Sequence, residues 1–175
     1  MMASLSARSC AAGGLAAALF LLGTGSAAAD DYTDWVIDPN VVVDSIAYTA
    51  SVPAPNPGGL PGVTVVYNHR DGRTITDSVW MLADPAAATA AVTQAQSTVT
   101  ILNPKTESVA VGTGGQLISG TSPDGTQSRS LLSFTEGKAA STIEFTGPLN
   151  DPVPIDIAIE IGGAQDALIK SKMGT

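Results

Sequence analysis

The chain has little of what most enzymes and metal proteins depend on. Its 175 residues include one cysteine, one histidine and only 5% aromatic residues, and 14% of the residues are charged. A single cysteine cannot form an intramolecular disulfide. One cysteine and one histidine are also too few to build a typical zinc site. The sequence therefore predicts a protein that needs no metal or other cofactor, and it excludes a disulfide-stabilised scaffold.

Positive charge is also scarce. Lys and Arg together number 8 against 16 Asp and Glu, so the formal net charge is −8. A chain with this balance lacks the cationic surface whose release of counterions drives nucleic-acid binding, and we expect no nucleic-acid partner. Its 44% hydrophobic content is too high for a disordered chain and predicts one folded domain.

The first residues have the composition of an export signal. Arg8 supplies a positive end, and the apolar run 11–22 and a stretch of small residues follow it. The run is shorter than the roughly 20 residues that a membrane-spanning helix needs. We predict cleavage after Ala29, a secreted or extracytoplasmic location, and no stable membrane anchor after cleavage. Cys10 precedes the apolar run, whereas a lipid-modified cysteine would follow it.

Residues 30–40 form an acidic lead-in segment with two aromatic residues, Tyr32 and Trp35, which we expect to attach it to the folded body. Its four aspartates lack the Gly and terminal Glu of a calcium-binding loop, so we interpret them as a solvated surface. The predicted domains are a signal peptide at 1–29, the lead-in at 30–40 and a single α+β domain at 41–175.

The first half of that domain predicts strands, a loop and a helix. Residues 41–52 are rich in β-branched residues and predict a strand. Residues 53–62 contain four prolines and three glycines and predict an exposed loop, which either covers a groove or crosses an end of the sheet. Asp71-Gly72 predicts a hairpin between 63–68 and 73–82. Asp84-Pro85 predicts the start of an Ala-rich helix that reaches Gln96.

The second half alternates with period two between glycine-containing turns. Four strands are predicted, at 108–111, 116–121, 127–135 and 138–146, with the last two at the centre of the sheet. The glycine-rich segment 112–115 is interpreted as a hairpin connection, because a phosphate loop would open onto a helix.

The tail has two interpretations. Asp151-Pro152 repeats the cap signature of Asp84-Pro85 and predicts a terminal helix that starts near Pro152. The strict alternation of residues 155–161 favours a strand instead, and two adjacent glycines would each cost a helix about 1 kcal/mol. We predict the helix and keep the strand as the alternative.

Together these elements predict an α+β fold, an antiparallel sheet of about six to seven strands with an Ala-rich helix and a C-terminal helix packed on it. Their order, with residues 78–88 (SVWMLADPAAA), 150–154 (NDPVP) and 163–170 (GAQDALIK), resembles the LpqN-type modules, small secreted proteins of mycobacteria and related actinobacteria with a Mog1/PsbP-like α+β sandwich. The resemblance implies a protein without catalytic residues that binds partners or apolar ligands of the cell envelope. Unlike the lipid-anchored members, this chain has no cysteine at the cleavage site.

Three groups of side chains are candidates for function. His69 lies in a polar turn where we expect neither burial nor a fixed partner, so a catalytic role is not predicted. Asp77 and Glu144 could approach each other as acid and base of a hydrolase, although both are interpreted as solvated sheet residues.

The candidate ligand-binding residues are Trp80, Met81 and Tyr67, because large rings beside a flexible thioether suit apolar ligands. Core packing is the more usual role of such residues. We therefore predict an exported, non-catalytic module that binds a cell-envelope protein, a glycan or a lipid-like ligand. The alternatives are an Asp/Glu-dependent hydrolase and a secreted antigenic or structural protein without a specific ligand. An open apolar pocket near Trp80 would favour binding.

Overall fold

The fold is an antiparallel sheet with one helix on each face, seen in a computed structural model that describes residues 31–43 and 46–174. The predicted signal peptide and Cys10 lie outside these residues. The strands are β1 (Tyr48–Ala50), β2 (Ala54–Pro55), β3 (Gly62–His69), β4 (Thr74–Met81), β5 (Leu102–Ser108), β6 (Thr113–Thr121), β7 (Gln127–Glu136) and β8 (Ala139–Pro148), and the helices are α1 (Pro85–Thr98) and α2 (Ile155–Met173).

The strands are ordered β1-β3-β4-β8-β7-β6-β5, and β2 pairs with the same edge of β3 as β1 does. This order confirms the α+β class and places β7 and β8 at or beside the centre, as predicted. The eight strands exceed the expected six to seven. The additional strand is β2, which forms inside the proline-rich loop where the Asn56 N–H donates to the Gly62 carbonyl at 2.9 Å.

The predicted hairpin is confirmed by the pairing of β3 with β4. Its turn is closed by the His69 N–H, which donates to the Arg73 carbonyl at 2.8 Å. Gly72 adopts a positive φ of 91°, whereas Asp71 does not, so only one residue of the Asp-Gly pair supplies the left-handed backbone.

Helix α1 starts where its cap signature predicts. The Asp84 carboxylate accepts the Ala87 N–H at 2.8 Å, and Pro85 occupies the first turn. The helix continues two residues beyond the predicted end at Gln96, to Thr98. It buries Ala88 and Val92 against Ala140 of β8.

The tail forms helix α2, so the predicted helix is correct and the alternative strand is wrong. The glycine pair does not prevent the helix, and Gly162 has a packing role in it. A Cβ at this position would lie 2.4 Å from Leu132 Cδ2. A glycine is required for this close approach of helix to sheet. The expected cap is wrong, because α2 begins after Pro154, and Asp151 forms an ion pair with Arg73 instead.

Two predicted strands are misplaced. Most of the described residues of 41–52 are not in a strand, since Pro39–Val41 form a 3-10 turn and the strand that pairs with β3 is limited to Tyr48–Ala50. β-branched composition produces a strand only where a partner edge lies within reach, and β1 and β2 together occupy that edge of β3. The strand predicted at 108–111 lies at 102–108 instead, where it forms the edge strand β5.

The two faces of the sheet differ in character. The face toward α2, termed the α2 face, carries most of the apolar core, in which Leu132 and Ile143 pack against Ala158 and Ile161 of the helix. The face toward α1, termed the α1 face, carries many hydroxyl side chains and is covered by α1 mainly over β7 and β8.

The lead-in segment packs against α2 through a buried glutamine. The Gln165 side chain accepts the Ile37 N–H at 2.7 Å and donates to the Trp35 carbonyl at 2.6 Å. Tyr32 and Trp35 stack edge to face with ring centroids 5.2 Å apart, and both contact the core. The structure thus shows the attachment that the two aromatic residues led us to expect.

Candidate ligand-binding site

A groove of about 520 Å³ lies on the α1 face, between helix α1 and the proline-rich loop, and is termed the α1 groove. Its volume falls within the range typical of ligand sites, and most of its surface is apolar. The loop and β4 contribute Pro57, Gly58, Leu60 and Trp80, the helix and the residue after it contribute Ala91, Gln94, Ala95, Thr98 and Val99, and the floor is formed by Arg129, Leu131, Thr142 and Glu144.

Trp80 is held in the groove by the loop that borders it. Its indole Nε1 donates to the Pro57 carbonyl at 3.1 Å. Trp80 lies opposite Gly62 in the β3–β4 register, and a Cβ on Gly62 would lie 2.1 Å from the Val79 carbonyl oxygen. Only glycine therefore lets the loop return so close to β4. The loop, expected either to cover a groove or to cross an end of the sheet, forms one border of the α1 groove.

The floor of the groove contains one ion pair. Arg129 Nε donates to Glu144 Oε1 at 2.7 Å, and its Nη1 donates to the Thr100 carbonyl at 3.2 Å. About a quarter of each charged side chain is exposed to solvent. The two charges neutralise each other. The groove therefore has mainly apolar walls, and its charged side chains are paired with each other.

Hydroxyl groups cross the α1 face in one row of the sheet. Thr64, Ser78, Thr142 and Ser133 are successive partners across β3, β4, β8 and β7. The Thr64 and Ser78 hydroxyls lie 2.8 Å apart, and Ser133 accepts a hydrogen bond from Gln96 of α1 at 2.8 Å. Two of these contacts are therefore hydrogen-bonded, and this row of the sheet is polar without carrying charge.

The three residues predicted to bind a ligand are not brought together. Trp80 lies in the α1 groove, whereas its neighbour Met81 projects to the other face and packs against Val79 and Phe134. Tyr67 is buried in the core of the α2 face, where desolvation raises the pKa of its hydroxyl. Of the three, only Trp80 belongs to the α1 groove, and its ligand-binding role stays a prediction.

Asp77 is not the solvated residue that we expected. Its side chain is 1% exposed and lies on the α2 face between Val65 and Ile143 of the neighbouring strands. Neither carboxyl oxygen forms a hydrogen bond with a described residue, and the nearby Ile37 N–H donates to Gln165 instead. Burial raises the pKa of this carboxyl well above its usual range.

Glu144 lies on the opposite face of the sheet from Asp77. It pairs with Thr76 in the β4–β8 register, and its half-buried carboxylate is bound to Arg129, so it is not a freely solvated residue either. A sheet separates the two carboxyl groups, so they cannot act as acid and base on one substrate.

We expected His69 to be exposed and to have no fixed partner, and the structure differs on both points. Its side chain is 15% exposed, and Nδ1 lies 2.5 Å from Oδ1 of Asp71. The ring packs edge to face on Tyr48, with centroids 4.7 Å apart. The turn therefore buries and orients this imidazole, because β1 lies beside the end of β3.

Several groove residues were missed from the sequence. Arg129 and Leu131 share the parity of Ser133 along β7, opposite to that of Leu132 and Phe134, and this period-two signal could have placed them on the α1 face. The position of Val99 follows from where α1 ends, which no local signal marked.

Among residues 31–43 and 46–174, no group of three or more His, Cys, Asp or Glu side chains is arranged to hold a metal ion. None of the helices in this part of the chain combines the length and apolar content needed to cross a bilayer. Comparison with known proteins finds no family model, no curated protein and no solved structure that matches this chain.

Proposed function

We propose that this protein is an exported, non-catalytic module that binds an apolar or lipid-like ligand of the cell envelope in the α1 groove. The observation that carries the proposal is the groove itself, a space of about 520 Å³ beside Trp80 with mainly apolar walls. Removing apolar ligand surface from water at about 25 cal/mol per Å² would supply the binding free energy.

The Ala-rich composition of α1 is what leaves the groove open. Ala91 and Ala95 present methyl groups toward it, where longer side chains would fill the space between helix and loop. Alanine also has the highest helix propensity, so the wall stays helical without larger side chains to anchor it. The composition of the helix thus supports a site rather than a packed core.

The charge of the groove supports the same proposal. Arg129 and Glu144 form an ion pair with each other, so the groove does not require a charged ligand. The hydrolase alternative has lost the acid pair on which it rested, because Asp77 is buried on the other face.

Export and the cell-envelope setting rest on sequence features. The leader at 1–29 and the LpqN-type resemblance motivate them, and we propose both on that basis. Detection of the protein in culture fluid, with an N-terminus at Asp30, would test the leader directly.

Binding can be tested with Nile red, a neutral apolar dye whose fluorescence rises when it leaves water. We expect saturable binding by the wild-type protein and at least about ten-fold weaker binding by Ala95→Phe, which fills the groove. Ala90→Phe is the matched control, because Ala90 lies on the same helix, is exposed and does not border the groove.

Thermal unfolding of both variants establishes that they are folded. Equal Nile red affinity in Ala95→Phe and Ala90→Phe would contradict the proposal. A complete lack of saturable binding by the wild-type protein would also contradict it, and would favour a secreted protein without a specific ligand.

A further inference from the structure

A second cavity, of about 330 Å³, lies at the end of the sheet beneath the first turn of α2, and is termed the sheet-end cavity. Tyr48, Ile75, Phe145 and Ile157 provide much of its apolar lining. The volume is near the lower end of ligand sites and suits a ligand the size of a single ring. Ile75 and Phe145 belong to the core of the α2 face, so this cavity is separate from the α1 groove.

His69 lines this cavity, and its contacts indicate which ring nitrogen can accept a hydrogen bond. Its Nδ1 lies 2.5 Å from a carboxylate oxygen of Asp71, and the Asp71 backbone N–H points to the same nitrogen at 3.3 Å. Because a carboxylate can only accept and its contact is much the shorter, we assign the hydrogen to Nδ1. In the neutral ring Nε2 is then an acceptor. No described residue forms a hydrogen bond with Nε2. The edge-to-face contact with Tyr48 holds the plane of the ring.

The charges around the cavity disfavour an anionic ligand. The Arg73 guanidinium borders the cavity and donates to the carboxylates of both Asp71 and Asp151. This guanidinium is therefore already paired with two carboxylates and offers an anionic ligand no unpaired positive charge. A ligand that donates a hydrogen bond to His69 must therefore be neutral or cationic, and the apolar walls favour neutral.

We propose that the sheet-end cavity binds a small neutral phenol, whose ring contacts Tyr48, Phe145 and Ile157 and whose hydroxyl donates to Nε2 of His69. A phenol combines a flat apolar body, which can pack edge to face against the aromatic walls, with a single strong donor. The site stands independently of the α1 groove and of the function proposed for it.

The test uses two probes of similar shape, para-fluorophenol and para-fluoroanisole, in which a methyl group replaces the donor hydrogen. His69 is the only histidine of the chain, so the nitrogen resonances of its imidazole identify it without assignment. We expect para-fluorophenol to shift the Nε2 resonance and to bind about two- to ten-fold more tightly than para-fluoroanisole by ligand-observed fluorine NMR.

Two substitutions locate the binding. Ile157→Phe should fill the cavity and remove binding, whereas Ile155→Phe, on the same helix but exposed and outside the cavity, should retain it. His69→Phe keeps a ring but removes the acceptor, so the preference for the phenol over the anisole should disappear.

Equal affinities of the wild-type protein for the two probes would overturn the proposal. An unmoved Nε2 resonance at saturation, or unchanged binding by a folded Ile157→Phe variant, would overturn it as well. Should Ile157→Phe fail to fold, the His69→Phe comparison alone decides the outcome.

Discussion

Asp77 lies directly opposite Ile143 in the β4–β8 register, so a carboxyl group occupies the centre of the apolar face that packs against α2. An ionised carboxylate in such surroundings would be very costly, because neither oxygen forms a well-aligned hydrogen bond and the nearby backbone N–H groups of Ile37 and Ser78 offset the burial only in part. The native protein therefore holds this group in its neutral form over a wider pH range than the unfolded chain does.

The first prediction is that Asp77 makes the protein less stable as pH rises. Its native pKa lies well above the value near 3.9 of an unfolded chain, so between the two values the native state holds one more proton. The stabilisation is complete below the unfolded pKa and is lost as pH rises through the native pKa, by about 1.4 kcal/mol per pH unit. Urea unfolding of wild type and Asp77→Asn across pH should show this slope only in the wild type.

Asp156→Asn serves as the control, because Asp156 is an exposed carboxyl group on α2. Parallel pH profiles for the wild type and Asp77→Asn would show that Asp77 does not titrate between the native and unfolded states, contrary to the prediction.

The second prediction concerns two adjacent glycines with opposite roles. Gly162→Ala should destabilise the protein by about 1–3 kcal/mol, because the added methyl group would collide with Leu132 and Val111. Gly163→Ala should stabilise it by about 0.5–1 kcal/mol, because no atom lies within 4 Å of the new Cβ and alanine favours the helix. Chemical denaturation of both variants measures the difference. Effects of the same sign would argue against the close packing of α2 on β7.

The third prediction separates two identical Asp-Pro pairs. Asp84→Ala should cost about 1 kcal/mol, because the carboxylate caps the Ala87 N–H of α1. Asp151→Ala should cost between about 0 and 1 kcal/mol, because Asp151 forms only a largely exposed ion pair with Arg73.

Unfolding in low and high salt distinguishes the two variants. The effect of Asp151→Ala should shrink in high salt, where exposed charges are screened, and that of Asp84→Ala should persist. An effect of Asp84→Ala as salt-sensitive as that of Asp151→Ala would contradict its role as a helix cap.

Local chemistry explains which elements could be predicted. The β3–β4 turn and the start of α1 depend on residues that contact one another within a few positions, Gly72 with its positive φ and Asp84 with its capped amide. The prediction of a strand at 41–52 was wrong because pairing depends on a distant edge, and among the described residues the strands that pair with that edge of β3 are Tyr48–Ala50 and Ala54–Pro55.

The candidate site was predicted only in part, for a similar reason. Trp80 was identified, but Met81 and Tyr67 lie on the other face, and adjacent residues of a strand always point apart. Asp77 alternates in step with the apolar residues Ile75 and Val79, so the period-two pattern of β4 indicated that it is buried. We interpreted this residue as solvated because its side chain is charged.

The α+β class, the hairpin and the capped start of α1 could be read from the amino-acid sequence, because each follows from backbone preferences and neighbouring side chains. The helical tail was predicted from an Asp151 cap that does not form. Three features emerge from the folded structure alone: Gly162 allows the close packing of α2, Asp77 is buried, and helix α1 and the proline-rich loop leave a groove between them. Those features depend on distances between segments far apart in the chain, which periodicity and local propensity do not specify.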